Sequence, residues 1–105
     1  MKDAPRITFN GALVLQALAS GYRYGFEIMD RTGLASGTAY PILRRYEAAG
    51  LVESHWEDAA RARGQGRPRR RYYQLSAPGE RALRQATRRI RAQQRIFGEA
   101  LEPES

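Results

Sequence analysis

Cysteine is absent from this sequence, which removes both a disulfide framework and any thiolate metal site. Histidine occurs once, at His55, beside the only tryptophan, Trp56, on a stretch that reads as a strand. An imidazole-based metal cluster or nucleophile–base pair therefore has no second member, and His55 reads as a hairpin residue. The nearest thing to a carboxylate pair is Glu57-Asp58, adjacent at a strand end and read as solvated. Gly64-Gln65-Gly66 follows no strand into a helix and lacks the Lys-Ser/Thr of a phosphate loop. These absences exclude an enzyme and leave no cofactor or metal to place. No run approaches the roughly 18 apolar residues of a membrane span, and the N-terminus has no signal-peptide pattern, so a cytoplasmic protein is expected.

Lysine is nearly missing too: Lys2 is the only one among 18 basic residues, the rest being arginine. A GC-rich genome accounts for the choice of Arg over Lys but not for where the arginines fall. Six of them lie between Arg61 and Arg71 with no acid among them. With a net charge of +7 and a pI near 10.5, that density attracts phosphate. The length of 105 residues allows one small core, with about 60–70% of the unfolded chain's surface buried.

The stretch Ser36 to Leu75 organises the chain. Ser36 to Gly50 reads as a short helix whose apolar stripe is Ala39, Leu43 and Tyr46, with Thr38, Arg44, Arg45 and Ala48 on the other face. Ser36 and Thr38 are both candidate N-caps. Thr38 is favoured because it puts Pro41 at the third helical position, inside the first turn. Gly50 suits the left-handed position after a helix, with Leu51 packing back. Leu51–Glu57 and Arg71–Leu75 are strand candidates, joined by a long basic tip from Asp58 to Arg70. A helix followed at once by a hairpin with a basic tip is the layout of a winged helix, in which the helix enters the major groove and the tip follows phosphates.

Ser36-Gly37-Thr38-Ala39-Tyr40-Pro41-Ile42-Leu43-Arg44-Arg45-Tyr46-Glu47, then Gly50-Leu51-Val52, resembles the recognition helix of the PadR family of bacterial transcriptional regulators. Tyr24-Gly25-Phe26-Glu27-Ile28 is similar to that family's earlier Tyr-Gly-Tyr-Glu-Ile element. Gly66-Arg67-Pro68-Arg69 and Tyr72-Tyr73-Gln74-Leu75-Ser76 are similar to its wing. The likeness runs from about Leu13 to Leu83. Ala39 stands where the family has a larger apolar residue, Tyr46 where it has Leu, and the wing carries one extra arginine. The resemblance implies a DNA-binding winged helix-turn-helix, dimerisation through the last helix, and a small-molecule effector. Some members hold flat aromatic ligands between the dimer helices with tryptophan. Here Trp56 lies in the hairpin and reads as core rather than ligand shelf, and the last helix offers Phe97 instead.

Upstream, Ile7–Ala19 reads as a first helix with Leu13, Val14 or Leu15, Ala17 and Leu18 facing the core. Thr8 or Asn10 caps it, and Gly11 weakens it. Tyr22–Thr32 is a second helix, with Tyr24, Ile28 and Met29 buried and Gly33 closing it. Downstream, Ser76 caps a last helix from about Pro78 to Leu101. A strict capping box would need Glu where Gly79 stands. Leu83, Ala86, Ile90, Gln93 and Phe97 recur at spacings of three and four, an a/d seam of about two heptads. Such a helix is too long for this domain to cover, so the seam reads as a homodimer interface. Met1 to Arg6 reads as a loose arm and Glu102 to Ser105 as a frayed tail.

The expected fold is mainly α with a small β-hairpin: a winged helix-turn-helix over residues 1–76, and a dimerisation helix and tail over 77–105. The expected function is a sequence-specific regulator, a repressor, binding a palindromic operator in double-stranded DNA as a homodimer. Its DNA-contact residues are Ser36, Thr38, Tyr40, Arg44 and Arg45 on the helix and Arg67, Arg69, Arg70 and Arg71 on the hairpin. The alternative is a winged-helix module for protein or RNA. Two-fold pairing suits a palindrome, whereas single-stranded RNA calls for exposed aromatics on a sheet. Tyr72 and Tyr73 alternate on a strand, so at least one belongs to the core.

Overall fold

The structure is a computed structural model that describes residues 5–101; most of the N-terminal arm and the tail fall outside the described residues. Seven elements follow in order: α1 (Phe9–Ala19), α2 (Gly25–Thr32), α3 (Ser36–Ala48), β1 (Val52–Trp56), α4 (Ala59–Gly64), β2 (Arg71–Leu75) and α5 (Ala77–Leu101). The two strands pair antiparallel from Val52↔Leu75 to Trp56↔Arg71. This is the winged helix-turn-helix order expected from the sequence, mainly helical with one hairpin and one long C-terminal helix.

Thr8 caps α1, its hydroxyl accepting the Gly11 amide at 3.0 Å. Val14, Leu15, Ala17 and Leu18 are buried, while Leu13 is half-exposed. They meet Ile28 of α2, Ile42, Leu43 and Tyr46 of α3, Val52 and Tyr73 of the hairpin, and Leu83 and Ala86 of α5 in one core. Tyr46 and Ala39 are both buried, so the two departures in α3 are core residues. The Tyr46 ring reaches α1: a Cβ on Gly11 would overlap its hydroxyl. Gly11 therefore gives up helix propensity to admit a larger neighbour.

α1 begins at Phe9 rather than Ile7 and β1 is one residue shorter at each end, and three larger differences from the sequence reading have physical causes. α2 begins at Gly25 rather than Tyr22, because the chain before it joins the hairpin. Tyr24 bridges Tyr72, and the Arg23 carbonyl accepts the Tyr73 amide at 2.7 Å. Tyr24 is only half-buried as a result. α3 begins at Ser36, one position after an Ala35 N-cap that makes no side-chain bond. The Thr38 and Ala39 amides donate to the Ala35 carbonyl at 3.0 and 2.9 Å, so Thr38 lies inside the helix. Pro41 then sits at the sixth position, not the third; the amide it lacks would have served Gly37, which is exposed. Finally, the hairpin tip is not all loop. α4 occupies its first half and buries Ala62.

The end of α3 follows the sequence reading closely. Gly50 has φ +79°, the Gly50 amide donates to the Glu47 carbonyl at 3.0 Å and the Leu51 amide to the Tyr46 carbonyl at 2.9 Å. That double bond over a left-handed glycine is a Schellman motif, and it turns the chain directly into β1. Ser76 caps α5 by accepting the Gly79 amide at 3.1 Å, and it also donates to the Gly50 carbonyl at 2.6 Å. The two helix ends are thereby tied together.

α5 divides along its length. Leu83 and Ala86, expected at an interface, are buried in the chain's own core against α1, and Ile90 packs at its edge. Arg89 donates to the Ile7 carbonyl on the same side. Beyond that point Gln93 is exposed, and Ile96 and Phe97 are 65% and 71% exposed. Among the described residues no helix is long and apolar enough to cross a membrane.

Candidate nucleic-acid interface

α3 presents two strips to solvent because its third side is anchored by Ala39, Ile42, Leu43 and Tyr46. Tyr40, Arg44 and Glu47, spaced by four and three residues, face the hairpin. Thr38, Pro41 and Arg45 face the start of α1, lining a shallow recess with Thr8 and Phe9. Ser36 is exposed at the tip of the helix. Tyr40 is 41% exposed, and its hydroxyl fills the space where a Cβ on Gly25 would stand, so the ring is braced rather than free.

On the hairpin, Arg71 lies opposite Trp56 and is partly engaged. Its Nε donates to Ser54 Oγ at 3.0 Å and a terminal nitrogen reaches Glu47 at 3.3 Å, while Ser54 donates to the same carboxylate at 2.5 Å. That triad ties the hairpin to the end of α3. Arg70 stacks over Tyr24 with its guanidinium carbon 4.1 Å from the ring centroid. Arg69 and Arg71 approach the Trp56 ring at 5.7 and 5.4 Å. Such stacking holds a guanidinium by its face and leaves its edge free to donate. Burial pushes the Tyr73 phenol up, the main effect in a setting that also includes Arg71, Glu47, Tyr40 and Arg44.

Arg67 is placed differently. Its two terminal nitrogens donate to Glu57 Oε1 and Oε2 at 2.5 and 2.7 Å, a bidentate pair turned inward. The Glu57 side chain is only 2% exposed, against the reading of a solvated strand-end acid. Tyr72 donates to Oε2 at 3.1 Å, the Arg70 amide to Oε1 at 3.3 Å, and Arg61 stands 3.9 Å away. The Glu57 main chain is used as well: its amide donates to the Arg70 carbonyl at 2.8 Å and its carbonyl accepts Arg69 Nε at 2.9 Å. The bonds to the carboxylate itself, the Arg67 pair first, then the Arg70 amide and Tyr72, hold the carboxyl at about 2 against an ordinary 4.5, although burial works the other way. The same pairing raises Arg67 further.

The outcome for the sequence-derived set is therefore mixed in geometry. Ser36, Thr38, Tyr40, Arg44, Arg45, Arg69, Arg70 and Arg71 reach the surface on α3 and the hairpin, and Arg67 faces the tip's interior. Trp56, read from the sequence as core, is instead 52% exposed, and Phe26, which sequence reasoning did not single out as a site residue, is 69% exposed. With Tyr24, Tyr40, Arg69 and Arg70 they line a cavity of about 590 Å³ between the helices and the hairpin. The signal for Trp56 was its register: it shares a strand face with Val52 but sits four pairs further out, past the edge of the core.

A family model described as the transcriptional regulator PadR-like family matches residues 14–85. No curated protein matches the chain. Among solved structures, a PadR family transcription regulator from hypervirulent Clostridium difficile R20291 superposes with a TM-score of 0.75 at 25% identity, covering 90% of this chain and 100% of that one. A PadR family regulator from Eggerthella lenta DSM 2243 gives 0.68 at 26% identity, covering 90% and 85%. The PcaV regulator from Streptomyces coelicolor, solved with its natural ligand, gives 0.77 at 23% identity over 92% of this chain and 64% of its own, a likeness of fold alone.

Proposed function

The chain belongs to the PadR-like family of transcriptional regulators, and from that premise we propose a sequence-specific repressor that binds a palindromic operator as a homodimer. The single observation that carries the reading is that α3 and the hairpin turn their basic residues outward together. Tyr40 of α3 lines one cavity with Arg69, Arg70 and Arg71 of the hairpin, exposed Arg44 follows Tyr40 on the same strip, and Arg45 is exposed on the neighbouring one. Groove-reading helices present their first turns to base edges while the adjoining segments follow the backbone. Ser36 and Thr38 are short enough to reach a phosphate or a thymine methyl, and Arg44 can bind guanine bidentately. Arg69, Arg70 and Arg71, beside Trp56, receive phosphate and sugar. Arg45, on the strip facing α1, receives the backbone on the other side of the helix. The regulator acts in the cytoplasm, and a small-molecule effector releases it; PcaV, solved with its natural ligand, is a precedent on this fold.

Selection of bound duplexes from a random pool tests this directly. An inverted repeat is expected, its half-sites one or two helical turns apart. Arg44→Ala should change the preferred base at one position of each half-site, at a cost of about 1–3 kcal/mol per contact. A pool that yields no motif, or RNA that competes as well as duplex DNA, transfers the reading to a winged-helix RNA or protein module.

A further inference from the structure

We propose that Glu57 is a positioning residue for DNA binding: clamped by Arg67 and Tyr72, it folds the hairpin tip so that Arg69 and Arg70 are set in place before DNA arrives. The inference rests on the DNA-binding reading above and assigns Arg67 to the clamp rather than to phosphate. Between Trp56 and Arg71 the chain runs through a long excursion, and segments of that length are normally loose unless something orders them. Here α4 orders the first half, and the second half converges on one residue. Glu57 uses both carboxylate oxygens, its amide and its carbonyl to hold Arg67, Arg69, Arg70 and Tyr72. Within the tip Arg67 also donates to the exposed Gln65 side-chain oxygen at 3.0 and 2.7 Å, and Glu57 supplies the buried carboxylate behind it.

The consequence is opposite in sign to what charge alone requires. A carboxylate close to a DNA-binding face repels phosphate, so removing it should strengthen binding. A carboxylate that pre-orders the arginines does the reverse. Without it the tip must be ordered at the moment of binding, and that entropy is subtracted from affinity. Arg67 is likewise distinguished from its neighbours. A phosphate contact contributes to the salt dependence of binding, whereas a residue buried against Glu57 does not.

The experiment measures affinity for the selected operator across a range of salt concentrations, with wild type, Glu57→Gln, Arg67→Gln, the double variant and Tyr72→Phe. Glu57→Gln is expected to lower operator affinity by about tenfold even though the net positive charge rises, because the amide nitrogen that replaces one carboxylate oxygen cannot accept from the donors that met it there and the charge opposite Arg67 is lost. Arg67→Gln should lower affinity to a similar degree with the salt slope of the wild type, and the double variant should be no worse than either single one. Amide exchange should quicken at residues 67–71 in these variants and stay unchanged in α1. Unchanged or higher affinity for Glu57→Gln overturns the proposal, and so does a salt slope that falls by about one per subunit in Arg67→Gln. Should Glu57→Gln fail to fold, Tyr72→Phe removes a single bond to the same carboxylate. It is then expected to weaken binding by about threefold with faster exchange at the tip, and no change in either would refute the clamp. A wild-type protein that selects no operator at all is a failure of the DNA-binding reading, seen before any variant is made.

Discussion

At Glu57 a carboxyl held at about 2 makes the hairpin's stability depend on pH in a defined window. The folded value is depressed below the ordinary 4.5, so the unfolded chain binds the proton first as pH falls. The contribution is present in full above about 4.5 and is lost as pH drops from there toward 2. The groups facing the carboxylate are Arg67, Arg61, Tyr72 and the Arg70 amide. Thermal melts at stepped pH should therefore show the wild type above Glu57→Gln near pH 6, with the gap closing between pH 4.5 and 2. A gap that stays constant over that range would falsify the assignment. None of this was legible in the sequence. Glu57 stands next to Asp58, and adjacent acids at a strand end read as a solvated pair. What distinguishes them is the return of the chain ten residues later, which brings Arg67 back to one and not the other. Gly11 teaches the same lesson. Its cost to α1 was readable, but the reason for it, the Tyr46 ring arriving from α3, is a contact between distant residues.

Among the elements, three helix ends with local signals came through and the hairpin strands did too, whereas the Thr38 cap favoured for α3 did not. The Schellman end of α3 at Gly50, the Thr8 cap of α1 and the Ser76 cap of α5 are each written within a few residues. The start of α2 is not, since Tyr24 is drawn into an extended bridge by Tyr72 from the far end of the domain. α5 combines both cases. Its three-and-four spacing was readable, but Leu83 and Ala86 serve the chain's own core, and only the later part projects from it. The helix runs for 25 residues, about 37 Å at 1.5 Å each. Exposed Ile96 and Phe97 on that overhang are the residues on which the proposed dimer should depend. Removing everything after Ala82 would strip Leu83 and Ala86 from α1, so a loss of folding there would say nothing about assembly. Ile96→Asp with Phe97→Asp is the sharper change. It should leave the melting temperature of the domain within a few degrees while light scattering at micromolar concentration moves from dimer to monomer. A variant that remains dimeric places the interface elsewhere, and a wild type that is monomeric at high micromolar concentration removes the dimer altogether.

For the whole molecule, the net charge of +7 matters less than its distribution. The arginines of α5 and of residues 67–71 fall into three groups with different work. Arg84, Arg88 and Arg91 of α5 are exposed along the long helix; Arg84 lies beside Leu75 of β2, and Arg88 and Arg91 follow one and two turns further along. Arg67 and, in part, Arg71 are paired with Glu57 and Glu47 inside the structure. Arg69 and Arg70 stack on aromatic rings, and their terminal nitrogens donate to no protein acceptor among the described residues. On the proposed reading the last two meet phosphate, and the slope of log affinity against log salt is a direct count of such contacts. Arg69→Gln with Arg70→Gln should lower that slope by about two per subunit, and weaken binding to specific and unrelated duplexes alike. Arg88→Gln with Arg91→Gln, which removes the same charge from the molecule, should change the slope by much less than one, since charges beyond about 10 Å are screened at 0.1 M salt. The comparison holds net charge constant and varies only position. Equal slopes for the two pairs would mean that the protein binds DNA through its overall charge, and that the hairpin has no special place in it.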